Sequence, residues 1–321
     1  MENKIWAYFV SLINAVPGNF ETSEGGRCSK TRPANFCYDV WKKVSDGLAQ
    51  SNACNTILIE VEDALKYESH PEISLEDAWT KEELYNEVER LRSLGFNVYP
   101  VCNFSAAHDD WMGIYSRMVS TPQYYSFCKD IIEEISEVFS KPELFHLGMD
   151  EECWSIQQDS HLCVIRNENL YWNDIKYLTS LVEKNGSRPW MWADYVWHTP
   201  AREKSFLKNM SHEVLLSNWY YGDWTHTTDF FYDSMRGYEV LESNGYEQVP
   251  TGSTCSGIVE HCRDNLTLTV DRCTDIIGKE RLKGFMMAPW EHTNEENLPK
   301  LMDTIEVMKE AQALYNKKMA K

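Results

Sequence analysis

The stretch TKEELYNEVERLRSLGFNVYPV, residues 80–101, contains a helix signal that is followed at once by a strand signal. Thr80 and Glu83 have the spacing of a capping box, in which each side chain accepts a hydrogen bond from the other residue's backbone N–H. Apolar residues then recur at the three- and four-residue spacing of a helix, and Gly95 is a typical helix stop. The apolar run FNVYPV comes next. The stretch therefore predicts one helix that leads directly into a buried strand.

The same order of signals recurs further along the chain. Thr121 and Pro122 have the cap and first-turn positions of a second helix, which stops before Pro142 and is followed by the apolar run LFHLGM. A third predicted helix, around residues 170–184, gives way to the run RPWMWA. Because helices that alternate with short apolar runs are typical of βαβ units, the chain is predicted to build a parallel sheet.

Eight candidate strands can be placed in this way. They lie near residues 5–12, 56–61, 96–102, 144–149, 188–193, 213–218, 247–251 and 283–288. Eight strands in 321 residues predict a single (β/α)8 TIM barrel, a fold that typically has about 250 residues plus insertions. We therefore expect one catalytic barrel domain over residues 1–321. A doubly wound sheet is the alternative, but no GxGxxG or GxxxxGK[ST] motif follows any strand.

Charge and apolar patterning exclude several kinds of partner. The chain has 50 acidic and 31 basic residues and a net charge of -19, so binding to nucleic acid is unfavourable. No apolar stretch approaches the ~20 residues that a membrane span needs. The start, MENKIWAYFV, lacks the long apolar core of a signal peptide. We therefore expect a cytoplasmic protein that binds neither nucleic acid nor membrane, with a homodimer left open as its oligomeric state.

The cysteines and histidines do not indicate a metal site. Ten cysteines are scattered without a CxxC pair, and several lie in apolar runs, where a free cysteine behaves as a small apolar side chain. An HxH pair or a comparable ligand cluster is absent from the sequence. We therefore expect reduced cysteines, no metal and no cofactor.

Polar and aromatic residues follow the predicted strands. In a TIM barrel the active site forms at the C-terminal ends of the strands. The side chains at these positions are Glu60, Glu62, Asp63, Asn103, His108, Asp150, Glu151, Glu152, Trp192, Asp194, Tyr195, Trp219, Tyr220, Tyr221, Asp223, Trp290, Glu291 and His292. Aromatic rings stack on the apolar faces of a pyranose, and carboxylates bind its hydroxyls and move protons. This rim therefore predicts a carbohydrate site.

The segment FHLGMDEECW, residues 145–154, places three acids side by side at the end of a strand. Acids are favourable at a helix N-terminus, so Asp150, Glu151 and Glu152 alone are compatible with a simple helix cap. The preceding His-x-Gly favours a catalytic interpretation, because the segment is similar to a known motif. FHLGMDEE resembles the His-x-Gly-Gly-Asp-Glu motif that ends strand 4 in family 20 glycoside hydrolases, the β-N-acetylhexosaminidases.

Four residues of the motif match, and one differs. His146, Gly148, Asp150 and Glu151 stand at motif positions, and Met149 replaces the second glycine. Further segments resemble the family in the same order along the chain, from about residue 55 onward. They are LYNEVERLRSLGFNVYPVCNFSAAH at strand 3, WMWADYVW at strand 5, LLSNWYY at strand 6 and GFMMAPWEHTNEEN at strand 8.

The strand 3 segment also departs from the family in detail. The family's segment ends in Pro-Glu-Ile-Asp-x-Pro-Gly-His. Pro100 matches the first proline, Asn103 stands at the aspartate, and His108 lies one place beyond the histidine. This substitution at position 103 changes an acid into an amide.

The resemblance implies a carbohydrate substrate with a terminal N-acetylhexosamine and a substrate-assisted mechanism, one of the exceptions among retaining glycosidases. In that mechanism the 2-acetamido oxygen of the sugar attacks the anomeric carbon. Glu151 is then the general acid and later the general base, and Asp150 orients the acetamido N–H and stabilises the developing positive charge. The substrate-binding residues that the resemblance and the rim positions together imply are His108, His146, Trp192, Trp219, Tyr221, Asp223, Trp290 and Glu291.

Two other functions stay open at this point. Strand 1, IWAYFVSLIN, lacks the family's sugar-binding arginine, and Arg27 or Arg32 in the following loop is the candidate to replace it. One alternative is a barrel glycosidase in which Glu151 acts with Glu60 or Glu291 on a sugar without an acetamido group. The other is a catalytically silent, sugar-binding homologue.

Overall fold

Eight parallel strands form a single sheet in the computed structural model, which describes residues 4–12, 36–157, 163–222, 229–254 and 263–320. The strands are β1 (Ile5–Ser11), β2 (Thr56–Glu60), β3 (Asn97–Val101), β4 (Leu144–His146), β5 (Arg188–Trp192), β6 (Leu215–Ser217), β7 (Thr251–Gly252) and β8 (Gly284–Met287). Their order in the sheet is β6-β5-β4-β3-β2-β1-β8-β7.

The two edges of this sheet meet, so the sheet forms a barrel. Single parallel bridges join Leu216 to Gln248 and Trp219 to Thr251, between β6 and β7. The predicted (β/α)8 TIM barrel is therefore confirmed, and the doubly wound alternative is wrong. Strand β7 is shorter than the predicted 247–251, because Pro250 has no N–H to donate to a neighbouring strand.

A helix follows every strand of the barrel within the described residues. The helices are α1 (Tyr38–Ser51), α2 (Lys81–Ser93), α3 (Pro122–Val138), α4 (Trp154–Gln157), α5 (Asn169–Lys184), α6 (Pro200–Asn209), α7 (Asp229–Ser243), α8 (Asn265–Ile276) and α9 (Leu298–Met319). The predicted capping box is present, since Glu83 accepts the Thr80 N–H and Thr80 accepts the Glu83 N–H. Thr121 likewise caps α3 ahead of Pro122.

Strand residues alternate between the interior of the barrel and the helices. In β1, Tyr8 lies 6.3 Å from the ring of Trp41 on α1. Its neighbour Phe9 points the other way and lies 6.2 Å from Trp192 and 4.9 Å from Trp290. This alternation of buried rings, which follows the two-residue period of a strand, creates one apolar layer under the helices and another inside the barrel.

Strand β4 ends earlier than the sequence predicts. The expected strand, 144–149, is regular only over Leu144–His146. Gly148 and Met149 have φ of 68° and 74°, which are left-handed values that a strand does not use. The chain therefore turns sharply at the C-terminal end of the barrel, where the acids of the strand 4 motif begin.

None of the seven cysteines among the described residues forms a disulfide. No helix in these ranges combines the length and apolar character that a bilayer crossing requires. The cytoplasmic location and the oligomeric state stay predictions.

The pairing of β1 with β8 depends on Gly284. A Cβ at this position would lie 1.9 Å from the carbonyl oxygen of Ile5. We expect Gly284→Ala to lower the free energy of unfolding by about 1–3 kcal/mol, as overpacking does. Gly47→Ala is the control, because a Cβ there meets only the ends of two flexible side chains, Ile305 at 2.8 Å and Met302 at 3.2 Å. Urea unfolding followed by tryptophan fluorescence measures both; equal losses would contradict this account.

Candidate active site

A turn with three left-handed residues carries the two predicted catalytic acids. After Gly148 and Met149, Glu151 also has a positive φ, of 57°. The His146 ring accepts the Gly148 N–H at Nδ1, at 3.1 Å, and the Glu151 N–H donates to Asp194 Oδ2 at 2.9 Å. Non-glycine residues hold such φ values only where their surroundings fix them. These bonds at both ends of the turn supply that support.

The imidazole of His108 lies between the two acids. Its Nε2 is 3.2 Å from Glu151 Oε2 and 3.5 Å from Asp150 Oδ2. Burial by itself lowers the pKa of His108, but the charges and hydrogen bonds of Asp150 and Glu151 outweigh it, so this pKa is raised well above its ordinary value. A protonated imidazole therefore balances part of the negative charge of the acids near neutral pH.

Asp150 is held in its ionised form. Burial by itself raises the pKa of this carboxyl group, but the charge of His108, the hydrogen bond from His108 and the hydrogen bond from Asn103 together lower it. The Asn103 amide donates from Nδ2 to Asp150 Oδ1 at 2.7 Å. The site thus contains a carboxylate with fixed orientation beside the carboxyl group of Glu151, whose side chain is 22% exposed.

Two further acids lie at the end of β2, behind this pair. Burial raises the pKa of Glu60 to about 7, although the Ser11 hydroxyl and the charge of His108 act in the opposite direction. Burial, and then the charge of Glu60, raise the pKa of Glu62 well above its ordinary value. Glu62 accepts the backbone N–H of Asn103 at 3.0 Å. These two groups therefore retain protons close to or above neutral pH.

Glu152, the third acid of the motif, points away from the site. Its carboxylate binds Arg166, which also pairs with Asp174 at 3.0 Å, and all three side chains are buried. The Glu152 Oε1 atom accepts the Ala106 N–H at 2.9 Å. This acid therefore joins the strand 4 loop to the strand 3 loop and to α5, and it has a structural role.

Aromatic rings form a cluster near the acids, since the charges of Asp150 and Glu151 act on Tyr221. Trp192 lies 6.1 Å from Trp290, which lies 6.2 Å from Tyr221. The Tyr221 ring stacks on Trp219 at 5.0 Å. Burial, with the charges of Asp150 and Glu151 in addition, raises the pKa of Tyr221 well above its ordinary value, so its hydroxyl keeps its proton. Four of the predicted substrate-binding residues therefore form one connected group of rings.

The remaining predicted residues lie in different places. His146 is fully buried, 4.7 Å from the Trp192 ring, and burial lowers its pKa to about 3. Glu291 pairs with Lys300 on α9 at 3.0 Å. Asp223 lies outside the described residues, as do Arg27 and Arg32. Contact of His146 and Glu291 with substrate stays a prediction.

Asn103 and Asp194 are among the rim residues that the sequence places after strands, but the sequence assigned neither of them a catalytic or substrate-binding role. Asp194 is buried, and its Oδ2 accepts the Glu151 N–H and also faces His198 Nε2 at 3.0 Å. The departure of Asn103 from the family motif and the position of Asp194 after strand 5 were the available sequence signals. What they bind was decided only by the fold.

The spacing of His108, Asp150 and Glu151 also suits a cation, since one ligand atom from each lies within 4.8 Å of the others. This is the one such group among the described residues. The raised pKa of His108 means that a proton already supplies positive charge at this point.

Comparisons with known proteins agree with this arrangement. Residues 103–246 match the sequence model of "Glycosyl hydrolase family 20, catalytic domain". No curated protein sequence matches the chain. Because the match includes Asp150 and Glu151, the family resemblance predicted from the sequence is confirmed.

Solved structures share the fold at low identity. The chain aligns with a β-N-acetylhexosaminidase at 13% identity and TM-score 0.64, covering 99% of this chain and 75% of that one. It aligns with a Vibrio harveyi exo β-N-acetylglucosaminidase of family 20, solved with N-acetylglucosamine, at 13% identity and TM-score 0.62. This alignment covers 96% of this chain and 54% of that one. A family 138 enzyme that targets pectin rhamnogalacturonan II aligns at 10% identity and TM-score 0.60, covering 97% of this chain and 48% of that one. The chain thus spans about half the length of the last two.

The barrel and the match over residues 103–246, which is less than half of the chain, make this protein similar to the glycoside hydrolases. Within that class, the matched segment resembles the family 20 catalytic domain.

Arg166 is the cation on which the strand 4 loop depends. We expect Arg166→Met to lower the free energy of unfolding by about 3–5 kcal/mol, because Glu152 and Asp174 lose their buried partner. Arg263→Met is the matched control: this arginine pairs with Asp303 and Glu310 but is 43% exposed, so about 0–1 kcal/mol is expected. Chemical denaturation measures both, and a small loss at Arg166 would contradict the structural role of Glu152.

Proposed function

We propose that this protein is an exo-acting, retaining β-N-acetylhexosaminidase that removes terminal β-linked N-acetylglucosamine or N-acetylgalactosamine by substrate-assisted catalysis. The observation that carries the proposal is the grouping of Asp150, Glu151 and His108 at the end of β4. Neighbouring acids on one turn suit a mechanism in which the substrate provides the nucleophile. The family 20 match, which spans this turn, supports the same proposal.

Glu151 is the proposed general acid and base. Its side chain is partly exposed at the end of the barrel, whereas Glu152 is buried against Arg166. His108 contacts Glu151 Oε2 at 3.2 Å, so it orients the carboxyl group and balances its charge after proton transfer. Glu151 protonates the leaving oxygen, and it then takes a proton from the water that opens the intermediate.

Asp150 is the proposed partner of the acetamido group. An ionised carboxylate accepts the acetamido N–H and turns the carbonyl oxygen of that group towards the anomeric carbon. The same negative charge stabilises the positive charge that develops on the ring formed by this attack. The lowered pKa of Asp150 supports the role, because only the ionised form accepts and stabilises in this way.

The rings of Trp192, Trp290 and Tyr221 form the proposed acetamido and sugar pocket. Their edges and faces supply apolar area for the methyl group and for the sugar ring. Tyr221 retains its hydroxyl proton because its pKa is raised by burial and by the nearby acids. We assign this hydroxyl to the acetamido oxygen as its hydrogen-bond donor.

The acids at the rim give less support to the alternative with an enzyme nucleophile. A nucleophilic carboxylate must be ionised, and retaining enzymes of that kind place it about 5–5.5 Å from the acid. The pKa of Glu60 is raised to about 7 by burial, so half of this group is protonated at neutral pH. Glu291 is paired with Lys300. Neither group has the free ionised carboxylate that the alternative needs.

The first test compares two substrates and one variant. We expect release of p-nitrophenol from the β-N-acetylglucosaminide or β-N-acetylgalactosaminide and no release from the β-glucoside. Glu151→Gln should lose about 10²–10⁴ in rate, the range for general acid–base groups. Glu152→Gln is unsuitable as a control because it breaks a buried ion pair; Glu72→Gln, on the exterior, serves instead. Cleavage of the glucoside at a similar rate would overturn substrate assistance.

A second test separates catalysis from binding alone. A thiazoline that mimics the cyclic intermediate should bind much more tightly than N-acetylglucosamine, because only substrate assistance forms a ring of this shape. Asp150→Asn should weaken binding of the thiazoline more than binding of N-acetylglucosamine. Binding of N-acetylglucosamine with no turnover of any β-N-acetylhexosaminide would instead favour the catalytically silent, sugar-binding homologue.

The raised pKa of His108 predicts a pH-dependent contribution to stability. A group whose pKa is higher in the folded state stabilises fully below its unfolded pKa, about 6.5, and loses that contribution as the pH rises through its folded value. We therefore expect the Tm difference between the wild type and His108→Gln to be largest at pH 5–6 and to shrink towards pH 9. Calorimetry over this range measures it, and a difference that grows with pH would contradict the charged His108.

A further inference from the structure

Every polar group of Asn103 has a partner. Its backbone N–H donates to Glu62 Oε1 at 3.0 Å, and its carbonyl oxygen accepts the Trp111 indole N–H at 2.7 Å. Its side-chain Oδ1 accepts the Ser105 N–H at 3.1 Å and the Met149 N–H at 3.0 Å. The remaining group, Nδ2, donates to Asp150. Asn103 therefore joins the ends of three consecutive strands, β2, β3 and β4.

These contacts fix which end of the amide faces Asp150. Two backbone N–H groups point at one atom of the amide, and only the oxygen accepts a hydrogen bond from them. The NH2 group must therefore lie on the other side, where Asp150 Oδ1 is 2.7 Å away. The orientation follows from backbone donors, and it does not depend on the charge of any side chain.

The close approach of β3 to β4 is built around this contact. A Cβ at position 148 would lie 2.1 Å from the Asn103 Oδ1 atom and 2.5 Å from its Cα. Gly148 also has a φ of 68°. Only glycine satisfies both conditions, so the glycine of the strand 4 motif serves to bring Asn103 against Asp150.

We propose that Asn103 is a positioning residue whose amide gives Asp150 a hydrogen-bond donor at every pH, and so keeps this carboxylate oriented and ionised. This inference rests on the proposed function for its effect on catalysis. An amide has no proton to lose between pH 4 and pH 9. The orientation of Asp150 is therefore independent of pH on this side, unlike the contact from His108.

An acid at position 103 would behave differently. It would place a carboxyl oxygen against Asp150 Oδ1 at hydrogen-bond distance, and two carboxylates that share a site retain one proton between them. A protonated acid still donates to Asp150, whereas an ionised one repels it.

Several titratable groups face Asp150 from the elements around it. They are Glu60 from the end of β2, His108 from the loop after β3, His146 and Glu151 from its own segment, and Tyr221 after β6; Glu62 contacts the Asn103 N–H. These groups are common to the wild type and to any variant at position 103. The ratio of the variant's kcat/KM to that of the wild type therefore isolates the effect of that position.

The test compares Asn103→Asp with Asn103→Ala over pH 5 to 8. For the aspartate variant we expect kcat/KM near that of the wild type at pH 5 and a loss of at least about tenfold relative to it by pH 8. The alanine variant should be impaired by a constant factor, because it has no donor at any pH. If the kcat/KM of the aspartate variant relative to the wild type did not change with pH, the proposal would be overturned.

Asn218→Asp is the matched control for a buried acid in the same barrel. Asn218 is also fully buried after a strand, and its amide donates to the Ser234 carbonyl oxygen at 2.9 Å and accepts from Trp197. At temperatures below the unfolding temperature of this variant, we expect its kcat/KM relative to the wild type to be independent of pH. A fall like that of Asn103→Asp would assign the effect to general destabilisation and overturn the proposal.

A readout without catalysis separates this inference from the proposed function. In Asn103→Asp the folded pair holds a proton that the unfolded chain releases near pH 4, so its Tm relative to Asn103→Ala should fall as the pH rises from 5 to 8. If this fall is seen and no hexosaminide is cleaved by the wild type, the contact with Asp150 stands and the proposed function fails. A Tm difference that is constant or rises with pH would overturn the contact itself.

Discussion

The approach of Gly148 to Asn103 is the constraint on which the active end of this barrel depends. The absence of a side chain at 148 lets two strands come together, and the left-handed backbone that follows turns the chain across the barrel mouth. Met149 and Glu151 then adopt φ values that most residues avoid, and hydrogen bonds to Asn103 and Asp194 hold them there. Strain in the turn is thus balanced by contacts from the neighbouring strands, and the acids acquire fixed directions.

Three consecutive acids are separated by the charges that the fold brings to them. Glu152 turns into the protein and meets the buried Arg166, whereas Asp150 and Glu151 face the His108 imidazole. Like charges this close would repel one another without such partners. The division leaves two acids beside His108 and gives the third a structural task. Two more acids, Glu60 and Glu62, lie behind the same site in this protein of net charge -19, and burial raises the pKa of both, which reduces the negative charge they carry near neutral pH.

Much of this arrangement could be predicted from local sequence patterns. The capping box at Thr80, the proline after Thr121 and the alternation of helical and apolar runs depend on neighbouring residues, and they predicted the barrel correctly. The strand 4 motif directed attention to Asp150 and Glu151, since a short run of residue types is visible without a fold. Strand ends were less accurate: β4 and β7 are shorter than expected, because a left-handed turn and a missing N–H act against regular pairing.

The sequence by itself determined the class of fold, the end of the barrel that carries the site and the acids at that end. Only the tertiary structure decided which partner each acid has. Arg166 lies 14 residues beyond Glu152, and His108 lies 43 residues before Glu151, so neither pairing has a local signal. The same holds for Asn103, whose amide reaches Asp150 across two strands. Charge state and direction arise from such distant contacts, because burial and neighbouring charge set the pKa of a carboxyl group and neither is written in its own segment.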